Sequence, residues 1–176
     1  MRNTILVVLG TAIALTLGFA VAGLASSGSS NGVLTTNEST TESTTESTTE
    51  TPPATKWKAT LTTGAEIPKP KGVKAGAGGT FDVTVTESGG TYTAKWKLSF
   101  KSLTGKAVAA HIHKGKAGKA GPVVVSLCGP CTSGKGGAAK VSEAVVKAMK
   151  AGLAYVNVHT AKNAAGEIRA QVKKIG

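Results

Sequence analysis

Three histidines, His111, His113 and His159, are the side chains of this chain best suited to chemistry. Two stand in Val108-Ala-Ala-His-Ile-His113, and the third in Tyr155-Val-Asn-Val-His-Thr160. Both segments read as β-strands, in which residues two apart point to the same side. Ala110 and Ile112 then face a core while His111 and His113 point outward together. In the second segment Val156 and Val158 take the core side, and Tyr155, Asn157 and His159 share the opposite face. Two imidazoles from one strand and a third from another can converge on a metal ion. Imidazole suits copper and zinc, and copper stands above zinc in the divalent affinity order. The competing reading is three hydrogen-bonded surface histidines.

Cys128-Gly-Pro-Cys131 has the spacing of a thioredoxin redox motif, but that motif opens a helix in a βαβ unit. Here it follows a predicted strand and precedes Thr132-Ser-Gly-Lys-Gly-Gly137, so a local loop disulfide is expected. Glu167 and Arg169 lie two apart on one strand face. They are expected to form an ion pair, or else Glu167 supports a histidine by a hydrogen bond. Gly115, Gly118 and Gly121 recur every third residue, yet no Walker-type Gly-Lys-Ser/Thr or following helix makes them a phosphate cradle. They are read as turn glycines. Ser-His-Asp arrangements and paired catalytic carboxylates find no support, because the acidic residues beyond Lys56 are few and dispersed.

The elements that must position these side chains are mostly strands. Trp57–Thr62, Thr80–Glu87 and Thr91–Phe100 alternate apolar and polar residues with period two. Ser88-Gly89-Gly90 marks a hairpin turn between the last two. Further strands are predicted at Val108–His113, Pro122–Leu127, Leu153–Thr160 and Glu167–Val172. One helix is predicted, capped by Ser142, begun by Glu143 and stopped at Gly152, with Val145, Val146 and Met149 on its apolar side. The fold class is all-β, a Greek-key sandwich or barrel of about seven or eight antiparallel strands with one short helix.

Three regions succeed one another along the 176 residues. Residues 4 to 25 are uncharged and almost wholly apolar, long enough to match the roughly 20 helical residues that cross a bilayer. Residues 1–25 are therefore a membrane anchor or a cleaved signal, with Ala20-Val21-Ala22 as a cleavage site. Either reading sends the remainder outside the cell membrane, and cleavage makes the protein secreted. Residues 26–55 form a disordered stalk in which Glu-Ser-Thr-Thr recurs from Glu38. Such a tract buries too little apolar surface to offset its ordering entropy. Ser/Thr-rich, proline-closed tracts are commonly O-glycosylated, and Asn37-Glu38-Ser39 is an N-glycosylation triplet. Residues 56–176 are the folded domain. Its 19 lysines and Arg169 outnumber five acidic residues, giving a net charge of +15. That balance fits a solvated lysine-rich surface, or an extracellular protein or acidic polymer as partner. The scattered lysines and scarce aromatics argue against nucleic acid.

Two stretches carry a family resemblance. Residues 105–123 run GKAVAAHIHKGKAGKAGPV, and residues 154–172 run AYVNVHTAKNAAGEIRAQV. Together with Glu66-Ile67-Pro68 they resemble the CHRD (chordin-type) domain across residues 57–173, departing at Ala165 and Ala170. The resemblance implies an extracellular binding module. The histidine motifs also bear a fainter likeness to copper–zinc superoxide dismutase. That likeness implies a copper site at His111, His113 and His159, with Arg169 as counterpart of a basic residue beside the metal. A bridging histidine and the zinc ligands have no counterpart here, so a mononuclear copper centre is implied rather than dismutation. Asn157, Glu167 and Arg169 are the expected supports of that centre.

Overall fold

The structure is a computed structural model that describes residues 52–176. The anchor or signal expected over 1–25, and the stalk through residue 51 with Asn37, lie outside the described residues. Among the described residues no helix is long and apolar enough to cross a membrane.

Residues 52–176 form a nearly closed barrel of antiparallel strands with one α-helix. In chain order these are β1 (Ala54–Thr62), β2 (Gly78–Ser88), β3 (Thr91–Lys101), β4 (Ala107–Lys114), β5 (Val123–Cys128), β6 (Lys135–Val141), α1 (Glu143–Lys150), β7 (Ala154–Thr160), β8 (Ile168–Gln171) and β9 (Lys173–Ile175). The strands are ordered β5-β4-β7-β8-β1-β2-β3-β6, with β9 beside β1. Of the two architectures expected from the pattern, the barrel is the one adopted. The first strand starts at Ala54, inside the span assigned to the stalk.

Period-two alternation sets the core. Trp57, Ala59 and Leu61 of β1, Phe81, Val83 and Val85 of β2, and Ala94 and Leu98 of β3 are buried. Ala110 and Ile112 of β4 and Val156 and Val158 of β7 complete the interior from the other side. The β2–β3 hairpin closes through Gly89 and Gly90 between the paired Ser88 and Thr91. Both glycines have positive φ, +53° and +75°, as a two-residue type I′ turn requires. The Ser142 side chain accepts from Val145 N at the start of α1, whose Val145, Val146 and Met149 pack inward.

Two strands were not predicted. β6 reads Lys-Gly-Gly-Ala-Ala-Lys-Val, with no alternation and two glycines that weaken a strand on their own. Its glycines answer a tertiary demand: a Cβ at Gly137 would sit 2.9 Å from Trp96 Cζ2, and one at Gly136 would collide with the Trp96 carbonyl. β9 is three residues long and pairs Lys56–Lys58 of β1.

Candidate metal centre

The outer face of β4, β7 and β8 carries a grid of polar side chains. Across β4 and β7, His113 is opposite Tyr155, His111 opposite Asn157, and Ala109 opposite His159. Across β7 and β8, Tyr155 is opposite Gln171 and Asn157 opposite Arg169. The β4–β5 register shifts between Ala110 and His111 and again between Ile112 and His113. Such irregularities re-aim side chains and recur beside functional sites.

The histidines point away from the core, as expected. They leave the core side to Ala110, Ile112, Val156 and Val158, but His113 and His159 are each only 8% exposed. Loops folded over this face cover them. Residues 115–121 are tied down by Arg169 and Gln171, whose side chains donate to the carbonyls of Lys116, Lys119 and Gly115. The 160–166 turn lies over His159 and donates from Gly166 N to Asn163 O. His111 is half-buried and forms the open side of the group.

One nitrogen from each histidine falls within 4.8 Å of the others. Metal–nitrogen bonds of about 2.0–2.1 Å put opposed ligands at most about 4.2 Å apart, so slight ring rotation closes the set. The hydrogen bonds show which nitrogens are free. His113 Nδ1 lies 2.9 Å from Gly121 O and His159 Nδ1 2.9 Å from Ala164 O. A carbonyl only accepts, so both Nδ1 atoms carry the proton and both Nε2 atoms keep a lone pair. His113 Nε2 is buried and without a partner. His159 Nε2 lies 3.1 Å from His111 Nδ1, which therefore donates to it. A ligating histidine ordinarily donates its other ring nitrogen to a carbonyl or carboxylate. Two of these three do.

Burial, joined by the facing His159 and His113, holds His111 below the usual histidine range. His159 is likewise lowered, first by burial, with the Ala164 carbonyl opposing and His113 adding to it. The His111 and His159 rings are therefore poised to be neutral donors near neutral pH.

The residues expected to support the centre are placed differently. Glu167 neither pairs with Arg169 nor touches a histidine. Its buried carboxylate accepts from Thr104 N at 2.7 Å, Thr104 Oγ1 at 2.5 Å, Thr160 Oγ1 at 2.7 Å and Asn163 Nδ2 at 3.1 Å. Burial alone pushes this carboxyl up, but those bonds outweigh it and hold the group below the usual range. Arg169 stacks on Tyr155, its guanidinium carbon 3.3 Å from the ring centroid. Asn157 donates to Ala165 O at 3.4 Å, and its Oδ1 has no partner. The histidines are held by backbone carbonyls and by Tyr155, whose ring lies 4.8 Å from that of His113 at an interplanar angle of 8°.

Glu66, next to the first strand, was not read as part of this face. Its carboxylate is buried, accepts from Ile67 N at 3.0 Å and leaves Oε2 unpartnered. Burial raises it, against the Ile67 N–H, Arg169 and Asn157. Its signal in sequence was a lone acid in Glu66-Ile67-Pro68, with nothing to give its direction. Thr104 gave no signal at all, and Asn163 none beyond its place in the family-like stretch 154–172. Cys128 and Cys131 form the expected disulfide, and Cys131 N donates to Ala107 O at 3.0 Å.

A family model described as CHRD domain matches residues 57–172. No curated protein and no solved structure matches the chain. The fainter likeness to copper–zinc superoxide dismutase is not borne out.

Proposed function

Since the chain belongs to the CHRD domain family, we propose that its barrel is an outward-facing module that holds one copper ion through His111, His113 and His159. The observation that supports this most is the lone pair on His113 Nε2, buried and without a partner while Nδ1 is tied to Gly121 O. A buried polar atom left unpaired costs about 1–3 kcal/mol, and a bound ion removes that cost. The set contains imidazoles only, which suits copper, and copper leads the divalent order. Copper would supply a one-electron couple and a Lewis-acid centre. The chain's own part is to present three imidazole nitrogens, shield two of the rings from water and leave access beside His111. Metal handling and redox chemistry both fit that arrangement. Calorimetric titration with divalent copper tests it, and one ion per chain is the expected result. No binding, or preferential uptake of zinc, counts against the copper assignment.

The pH dependence follows from the lowered histidines. Protons compete with the metal for the same nitrogens. His111 and His159 sit below the ordinary value of 6.5, so they stay neutral to lower pH than free imidazole. Copper affinity is expected to hold down to about pH 6.5 and then fall as the solution is acidified. Loss of affinity beginning well above that pH contradicts the burial-lowered rings.

The apolar run over residues 4–25 and the stalk behind it support attachment to the cell membrane, with the domain held outside. Carbonate-washed membranes are expected to retain the protein. A soluble mature chain beginning near Ser26 means that the segment is a cleaved signal. The net charge of +15 over residues 56–176 supports a second reading, a recognition module for an acidic surface polymer or extracellular protein. That reading takes over if the histidines bind no metal.

A further inference from the structure

Tyr155 is held from three sides. Its ring lies between the His113 imidazole, 4.8 Å away and nearly parallel, and the Arg169 guanidinium, 3.3 Å from the ring centroid. Its hydroxyl oxygen accepts from Gly121 N at 3.1 Å, and the hydroxyl lies 3.4 Å from Gly121 O, toward which it donates. The same Gly121 carbonyl takes the proton of His113 Nδ1 at 2.9 Å. Gly121 itself has no freedom to change, because a Cβ there would collide with the Lys114 carbonyl. Arg169 completes the frame by donating to Lys119 O at 2.7 Å and Lys116 O at 3.2 Å in the loop that carries Gly121.

We propose that Tyr155 is the positioning residue of the histidine centre, setting the ring plane of His113 by stacking and its protonated nitrogen through Gly121. The inference rests on the metal-binding reading for its purpose, but its geometry is independent of any ion. Two constraints converge on one imidazole. The parallel Tyr155 ring stops rotation out of plane. The carbonyl held by the tyrosine hydroxyl makes Nδ1 the donor. Nε2 is left as the lone pair facing the other two histidines. Without the hydroxyl the Gly121 peptide loses a partner on each side, and the carbonyl is no longer fixed where Nδ1–H needs it. Arg169, stacked on the Tyr155 ring and bonded to the same loop, keeps tyrosine and loop moving together. It acts on His113 only through them.

The test uses the full chain in detergent micelles, with ¹⁵N-labelled histidine, and compares wild type with Tyr155→Phe. Phenylalanine keeps the stack and removes only the hydroxyl. In the wild type His113 is expected as the Nδ1–H tautomer alone. In Tyr155→Phe the tautomer ratio is expected to fall by about fivefold, the worth of one hydrogen bond. Copper affinity should fall by about tenfold or more, as is usual when a ligand's outer support is removed. An Nε2–H or mixed tautomer in the wild type overturns the proposal with no variant needed. So does a Tyr155→Phe chain whose His113 tautomer is unchanged. A shifted tautomer in a chain that binds no copper leaves the clamp standing and sinks the metal reading instead.

Discussion

Replacing His113 or His159 with alanine is expected to weaken copper binding by about 100-fold or more. Loss of an outer support alone costs about 10–100-fold, and these changes remove the ligand itself. Both rings are covered by loops, with the Nδ1 atoms committed to Gly121 O and Ala164 O, so water has poor access to take their place. His111 is half-buried on the open side, and solvent can stand in for its nitrogen more easily. His111→Ala is therefore expected to do less damage than either of the others. Alanine leaves the barrel intact, because the core beneath belongs to Ala110, Ile112 and Val158. Near-ultraviolet circular dichroism checks that point. Three variants that bind copper within a factor of about two of the wild type would mean that the histidines are merely covered polar residues.

Glu167→Gln is expected to have the largest effect on stability while sparing the metal. The carboxylate accepts four hydrogen bonds at zero exposure. An amide cannot accept at both ends, so its NH₂ faces either the Thr104 N–H or the Asn163 amide and threonine hydroxyls, donor against donor. Bonds to a charged acceptor are worth about 1.5–3 kcal/mol each, and hydroxyl rotation recovers part of the loss. A cost of about 2–4 kcal/mol follows, which lowers Tm by about 10 °C in a domain of this size. The pH dependence has a definite sign. The folded carboxyl lies below its ordinary 4.5, so below that pH the unfolded chain takes up a proton that the folded one refuses. The stabilisation is complete above about pH 4.5 and fades as pH falls through the folded value. Wild type and variant should therefore converge in stability as the pH falls below about 4.5. A gap that stays constant across that range, or a loss of copper on this change, contradicts the structural role assigned to Glu167.

The fold was legible where a local pattern met a tertiary need. β1, β2 and β3 could be read because alternation marks which face is buried, and Gly89-Gly90 because a type I′ turn requires positive φ at both central positions, which glycine adopts without strain. The helix was legible from its Ser142 cap. β6 was not, since its strand character comes from pairing with β3 and from Trp96 pressing on Gly136 and Gly137. The histidine group was legible for the same reason as the strands: period two puts His111 with His113 and sets His159 on the matching face. What covers them was hidden. The burial of His113 depends on a loop fixed by Tyr155, Arg169 and Gln171, residues at least 34 positions away from Gly121 or its loop neighbours. Glu167 and Arg169 misled for a related reason. Two positions apart on one edge, they were candidates for each other, but Thr104 and Asn163 claim the acid and Tyr155 claims the base. Side chains crossing between distant loops leave no periodic trace.

In the proposed centre, three imidazole nitrogens from β4 and β7 meet on one ion. Electron paramagnetic resonance of the wild-type protein with one equivalent of divalent copper measures this most directly, read by its nitrogen couplings at neutral pH. A single species with three coupled imidazole nitrogens, reduced to two in His113→Ala, is the predicted result. A spectrum of free or randomly bound copper, or one unchanged by that substitution, would contradict the account.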